Sequence, residues 1–409
     1  MKERPKLRYI DAFPVETKDG EMIALRDPLG VATESLVLSH AGLMVIQCFN
    51  GESSTKEIVR RFKRAGNMSA DLKSVNGLAA ILDENYFLDN KRFRERKAQL
   101  ERNLLKAGVR KMSHAGVSYP ASAAEFTKLV GDFFTDEKGA GLPGPVNGYP
   151  TPSAIISPHI DFRIGGPTYT HAYRRMAESQ PADVYIILGT GHGGLSELYS
   201  VLPVDFETPL GILKTDKQFI ADLQQRCDSD LFADAFLHKH EHVIEFQAVL
   251  LKQIFGNKNI KIVPILCSFS HLLFNNQRFA KDRKKVDKFV EALRGAIASY
   301  PGKVSIIASV DLAHVGPRYG DPEQLDPAFL QRVEQEDKNA LAHVTSVNPG
   351  GWVEAISGVD DKYRVCGFSS IYTLLSCTTA SKGDVLHYEK GRMDDDKSFV
   401  SYCSAVLYD

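Results

Sequence analysis

The sequence contains no apolar run approaching the roughly 20 residues that a membrane helix requires. Its start, MKERPKLRYIDAF, has charges but no apolar stretch of the kind found in a secretory leader, so no signal peptide is expected. Six cysteines (48, 227, 267, 366, 377, 403) are scattered without a CxxC pair. That spacing excludes a disulfide framework and a structural zinc finger, and it fits a reducing cytosol. There is no excess of either charge, since the net value is -1. Nucleic acid, which usually requires a basic face, is therefore not an expected partner, and neither is a membrane. Internal repeats are also lacking. What remains is an ordinary soluble composition, and a cytoplasmic protein is expected. At 409 residues, two domains are the default.

Residues 1–90 differ from the rest. FPVETKDGEMIALRDPLG alternates apolar and polar residues around Asp19-Gly20 and predicts a β-hairpin. Ser39 is a cap for a helix beginning near Ala41, SSTKEIVRRFKRAG predicts a second helix, and VNGLAAILDENYFLDN a third. A hairpin with three short helices resembles the PqqD-like and peptide-recognition winged helices in order and length. Docking of a peptide or protein on this domain is the role the resemblance implies. Residues 91–111 are densely charged and read as an exposed connecting helix.

Residues 112–409 alternate apolar strand-like runs (154–157, 184–188, 260–267, 304–310) with helical patterns (168–177, 216–226, 244–254, 284–299, 327–343, 368–378). Fully apolar strands separated by helices predict an α/β domain with a mainly parallel sheet covered on both faces. The tail, LHYEK and then FVSYCSAVLY, alternates better and predicts antiparallel edge strands.

Three of these strands end alike. AIIS runs into Pro158-His159, VYIILGT into Gly191-His192, and VSIIASV into Asp311 and His314. Ligands of open parallel sheets bind beyond the carboxyl ends of strands, so all four side chains are candidates at one sheet edge. The cluster HKHEHVIEFQ adds Glu241 and His242 as acid/base or supporting groups, while His238 and His240 are expected to face solvent. Cys366 precedes a glycine and an apolar helix. It is either an inert core cysteine or a thiol whose pKa the helix N-terminus lowers toward the metal-binding thiolate. Cys267, Cys377 and Cys403 are read as core.

The segments SHAGVSYPAS, SPHIDF, LGTGHGG, EHVIEFQ, SVDLAH and VCGFSS resemble, in order and spacing, the Memo family, whose bacterial members are called AmmeMemoRadiSam system protein B. The resemblance runs from Ser113 to Asp409 and implies a fold similar to class III extradiol dioxygenases. It places metal ligands on His159, His192 and Cys366, and His114 at the pocket wall. Asp311 and His314 fall beside the metal, His314 where a general base would sit, and Glu241-His242 match a pocket pair. A thiolate in place of the carboxylate of the dioxygenases shifts preference toward copper or zinc while still allowing iron. Asp161 stands where a small residue is common in SPHAGY-type members. It is a ligand, a group that orients ligands, or a partner for Arg163, and the orienting role is preferred.

Three functions follow from the resemblance. The first is an iron- or copper-dependent, dioxygenase-like redox enzyme with His314 or His242 moving protons. The second is a metal-binding accessory protein without turnover, working with radical SAM and Amme-type partners. The third is a zinc hydrolase. An intact ligand set with a retained acid/base pair favours the first.

Overall fold

A computed structural model describes residues 4–18, 20–32, 34–64, 71–146, 148–321, 325–395 and 397–409. They fall into two compact units divided between Ala107 and Gly108. In the first, β1 (Asp11–Thr17), β2 (Gly20–Arg26) and β3 (Leu36–Leu38) form an antiparallel sheet. The expected hairpin is present as β1 and β2, although Asp19 lies outside the described residues. Four helices follow: α1 (His40–Ile46), α2 (Thr55–Arg64), α3 (Leu72–Glu84) and α4 (Lys91–Ala107). Ser39 caps α1 by accepting from the Gly42 amide. Ser54 and Glu57 exchange bonds at the start of α2, which satisfies amide donors that have no partner within the helix. Ile58, Val75 and Leu82 pack with Leu25 and Phe87 in a core of their own.

The second unit begins with β4 (Val109–Arg110) and α5 (Ala123–Thr135). There follow β5 (Ala154–Ser157), α6 (Phe162–Ala177), β6 (Val184–Thr190), β7 (Tyr199–Val201), β8 (Asp205–Thr208), β9 (Gly211–Thr215) and α7 (Lys217–Arg226). Next are α8 (His242–Phe255), β10 (Lys261–Cys267), α9 (Leu272–Asn275), α10 (Ala280–Ser299), β11 (Val304–Ser309) and β12 (His314–Val315). The chain closes with α11 (Pro327–Thr345), α12 (Pro349–Gly358), α13 (Phe368–Cys377), β13 (Lys382–Arg392) and β14 (Phe399–Tyr408). The strands form one sheet in the order β12-β14-β5-β11-β6-β10-β9-β8-β4, with β13 on β14 and β7 on β10. Its centre, β5-β11-β6-β10, is parallel.

Helices cover both faces, as the apolar strands predict. Ile156, Ile186, Leu188, Ile265 and Ile306 belong to a core shared with α7, α10, α12 and α13. The intervening Ile155, Ile187 and Ile307 are equally buried on the side where α6 and α8 pack. Pro264 cannot donate to a ladder. It falls between the residues of β10 that pair with β9 and those that pair with β7. The tail differs from expectation in one respect: β13 and β14 are antiparallel, but β14 is no edge. It lies between β13 and β5, with all but its terminal residues buried, because helices cover it as they cover its parallel neighbours. Among the described residues no helix is long and apolar enough to cross a membrane.

Candidate metal centre

The parallel register at the sheet centre brings the carboxyl ends of β5, β6 and β11 to one edge. His159 follows β5 and is fully buried. Its Nδ1 lies 2.9 Å from the Ser309 carbonyl, which can only accept, so Nδ1 carries the proton and Nε2 is left with a lone pair. That Nε2 is 3.4 Å from the Cys366 sulfur. A metal bonded at about 2.0 Å to nitrogen and about 2.3 Å to sulfur holds the two about 3.5 Å apart at a tetrahedral angle, so the pair is already near bonding separation. His192 follows β6, and its Nδ1 is 3.1 and 3.2 Å from the two oxygens of Glu241. The ligand atoms of His159, His192 and Cys366 all lie within 4.8 Å of one another, a group able to hold a metal ion. Two imidazoles with Nδ1–H fixed by acceptors, together with one thiol, match the donor chemistry of such an ion.

Helix α8 organises this edge. Gly189, near the end of β6, permits its approach, because a Cβ there would stand 2.2 Å from a Val243 methyl. Glu241 caps the helix and also accepts from the His242 side chain at 3.1 Å. The His192 and His242 rings are nearly parallel, 12° apart, with centroids at 5.3 Å. Further along α8, Gln247 donates to the Pro158 carbonyl at 2.8 Å and to Ser309 Oγ at 2.9 Å, pinning the ends of β5 and β11. The His192 side chain keeps 42% of its surface exposed and that of His242 31%, against 3% for His159. The site is therefore closed behind His159 and open beside His192.

Asp311 accepts from the His159 and Ile160 amides at 3.0 and 3.2 Å. Burial pushes its carboxyl up to about 7 against those bonds. Its Oδ2 is 3.5 Å from His159 Nε2. His314 donates Nδ1–H to the Leu312 carbonyl at 3.0 Å, and burial lowers its pKa to about 4. It is a neutral imidazole outside the ligand group, its ring against Tyr319. His159 is likewise held neutral, by burial and then by His192 and His242. Partial loss of water around the His192 ring opposes its charge, but Glu241 overrides this and raises the pKa well above the ordinary value.

Several side chains are placed differently from expectation. Cys366 does stand before α13, but burial of its sulfur outweighs the hydrogen bond and charge of His192 and raises the thiol pKa, opposite to the shift expected from a helix N-terminus. Asp161 accepts from the Arg163 amide and side chain and from Ser118, so it caps α6 and pairs with Arg163, with no bond to the histidines. His238 is buried rather than solvent-facing, bonded to the Ser200 carbonyl at 3.2 Å, whereas His240 is exposed. The segment Ala235–Lys239 is a 3-10 turn, where the alternation of an extended chain does not apply.

Sequence reasoning passed over Arg110 and Glu245, both 1% exposed and paired at 2.6 Å. Burial pushes the Glu245 carboxyl up, but Arg110 and His114 outweigh it and hold it below the usual carboxylate range. Glu245 accepts from His114 Nδ1 at 3.1 Å, which sets the His114 ring against His242 with centroids at 5.7 Å, at the wall of the site. Glu245 stands one helical turn beyond Glu241 within EHVIEFQ, which was a legible signal. Arg110 carried none, because it stands near the end of a run of charged residues that reads as solvated.

The chain is similar to known proteins over most of its length. The family described as Memo-like protein matches residues 110–406. A MEMO1 family protein of Aquifex aeolicus is 28% identical over 99% of this chain and 100% of its own length. One from Methanopyrus kandleri is 27% identical over 72% of this chain and 96% of its own length. A third, from Thermus thermophilus, is 25% identical over 82% and 93% respectively.

Proposed function

The chain belongs to the Memo family, and from that premise we propose that it is a metalloprotein of dioxygenase-like redox function, with His159, His192 and Cys366 holding iron or copper. The observation that carries the reading is the asymmetry of the donor group. A structural ion is usually enclosed by four protein ligands, whereas here three donors meet at a site open beside His192. A redox-active ion there supplies Lewis acidity and one-electron exchange.

This chain's own residues do the rest. Ser309 and Glu241 fix the tautomers of His159 and His192, so both rings are oriented before anything binds. His242, steadied by the same Glu241, lines the open side and meets an entering substrate. His314 has its Nδ1–H engaged and is neutral, so its Nε2 is the acceptor for a substrate proton. Asp311 holds the His159 backbone and stands beside its ring.

A second reading is a metal-holding accessory protein for radical SAM and Amme-type partners. It draws support from the first unit, a compact body with Tyr9, Phe13, Val37 and Met44 exposed. Elemental analysis of anaerobically purified protein separates the readings. Iron or copper that is lost in Cys366→Ser, with oxygen consumption that is lost in His314→Ala, supports the redox enzyme. Zinc alone favours a hydrolase. Metal without any turnover, together with partner capture that depends on residues 1–90, favours the accessory role.

A further inference from the structure

We infer that Arg110 and Glu245 are the positioning pair of the metal site, setting the groups around the ligands through two loops at once. The inference rests on the proposed ligand set.

A buried ion pair is an expensive way to hold a fold together, since both charges lose their water. What this pair gains is geometry. Every arm of the Arg110 guanidinium is engaged. Nε donates to the His238 carbonyl at 2.7 Å and Nη1 to Glu245 at 2.6 Å. Nη2 donates to Ser113 Oγ and to the Glu241 carbonyl, each at 2.9 Å. The planar fork thereby fixes the turn from His238 to Glu241, whose carboxylate holds both His192 and His242.

Glu245 works on the other loop. It accepts from the Ser113 and His114 amides at 3.2 and 3.0 Å, from Ser113 Oγ at 2.8 Å, from His114 Nδ1, and from the Tyr119 hydroxyl. The loop from Ser113 to Tyr119 is thus gathered around one carboxylate, and His114 is held beside His242. Neither residue of the pair touches a ligand atom. They act through Glu241 and His114, and groups of this kind commonly change metal affinity 10- to 100-fold when altered.

The test uses full-length protein titrated with Co(II) alone, whose thiolate charge-transfer and ligand-field bands report on Cys366 and on site geometry. Arg110→Lys keeps the charge but loses the fork, and Glu245→Gln keeps the shape but loses the charge. Each is expected to weaken the Co(II) Kd tenfold or more and to alter the ligand-field bands. Val344→Ala, a core change of similar cost to stability away from the site, keeps the wild-type Kd and spectrum. Wild-type Kd and bands in folded Arg110→Lys and Glu245→Gln overturn the inference. If neither folds, Tyr119→Phe and Ser113→Ala decide: a weakened Kd supports it and an unchanged Kd overturns it. Wild-type protein that takes up no Co(II), or uptake indifferent to Cys366→Ser, refutes the ligand set instead.

Discussion

Asp337 provides a pH-dependent test of how the second unit is held together. Its carboxylate is buried between α11 and the two last strands, accepting from Ser401 Oγ at 2.5 Å and Tyr388 hydroxyl at 2.8 Å. Lys390 is engaged by Glu334 at 2.6 Å, so no cation is bonded to Asp337, and burial pushes its carboxyl up to about 6. An unfolded aspartate titrates near 3.9, so the difference corresponds to about 3 kcal/mol. Because the folded-state value is the higher, the folded chain binds the proton more tightly. This contribution is full below about 3.9 and is lost as pH rises through about 6. Between pH 4.5 and 7.5 it amounts to a loss of about 2 kcal/mol. Asp337→Asn has no charge to bury and lacks that loss, so its stability relative to wild type rises by about 2 kcal/mol over the interval. Urea unfolding followed by the fluorescence of Trp352, the sole and fully buried tryptophan, measures this directly. Parallel pH profiles for the two proteins would refute the reasoning.

Three further outcomes are expected. Gly367→Ala places a Cβ 2.7 Å from the Asp311 carbonyl and from Val310, so Cys366 and Asp311 are pushed apart. Metal content per folded chain falls with helical circular dichroism intact, and a normal content contradicts the account. Gln247→Leu leaves Pro158, Ser309 and Tyr173 short of a partner, which costs about 3 kcal/mol and lowers Tm by several degrees. An unshifted Tm counts against α8 as the clamp. A chain beginning at Gly108 keeps the metal site, whereas one beginning at Met112 leaves Glu245 charged and uncompensated at a cost of about 3–5 kcal/mol. Equal thermal stability of the two truncations removes Arg110 from this unit's core.

The sheet and the candidate site were legible in the sequence to different depths. Apolar runs revealed the four central strands, because strands buried on both faces are rich in Val, Ile and Leu along their whole length. Strand ends nominated His159, His192, Asp311 and His314, yet they could not separate the histidines that face Cys366 from the one that bonds Leu312. That distinction lies in Nδ1 partners far away in the chain, such as Ser309 and Glu241. Residues 91–111 read as one solvated helix, but the helix stops at Ala107 and Arg110 belongs to a strand. A charge paired across 135 positions of sequence resembles any other charge in a basic run. For Cys366, the local rule about helix ends gave the wrong sign because burial is a property of the whole fold.

The place of β14 sets the order in which the molecule can be finished. This strand follows every other in the chain, yet it pairs with β5, the first strand of the parallel core, and through Val400 with His314. During synthesis the free side of β5 therefore waits, unpaired, while some 240 residues are added, and closing so long a loop is slow. The first unit has all its residues long before then. Between Asp311 and His314, Leu312 and Ala313 take their backbone bonds from Ser401, so the segment is completed only when that last strand docks. A nascent chain can thus display His159 and His192 at two of the three polar strand ends without a working site, and an unpaired edge that calls for shielding until translation is complete.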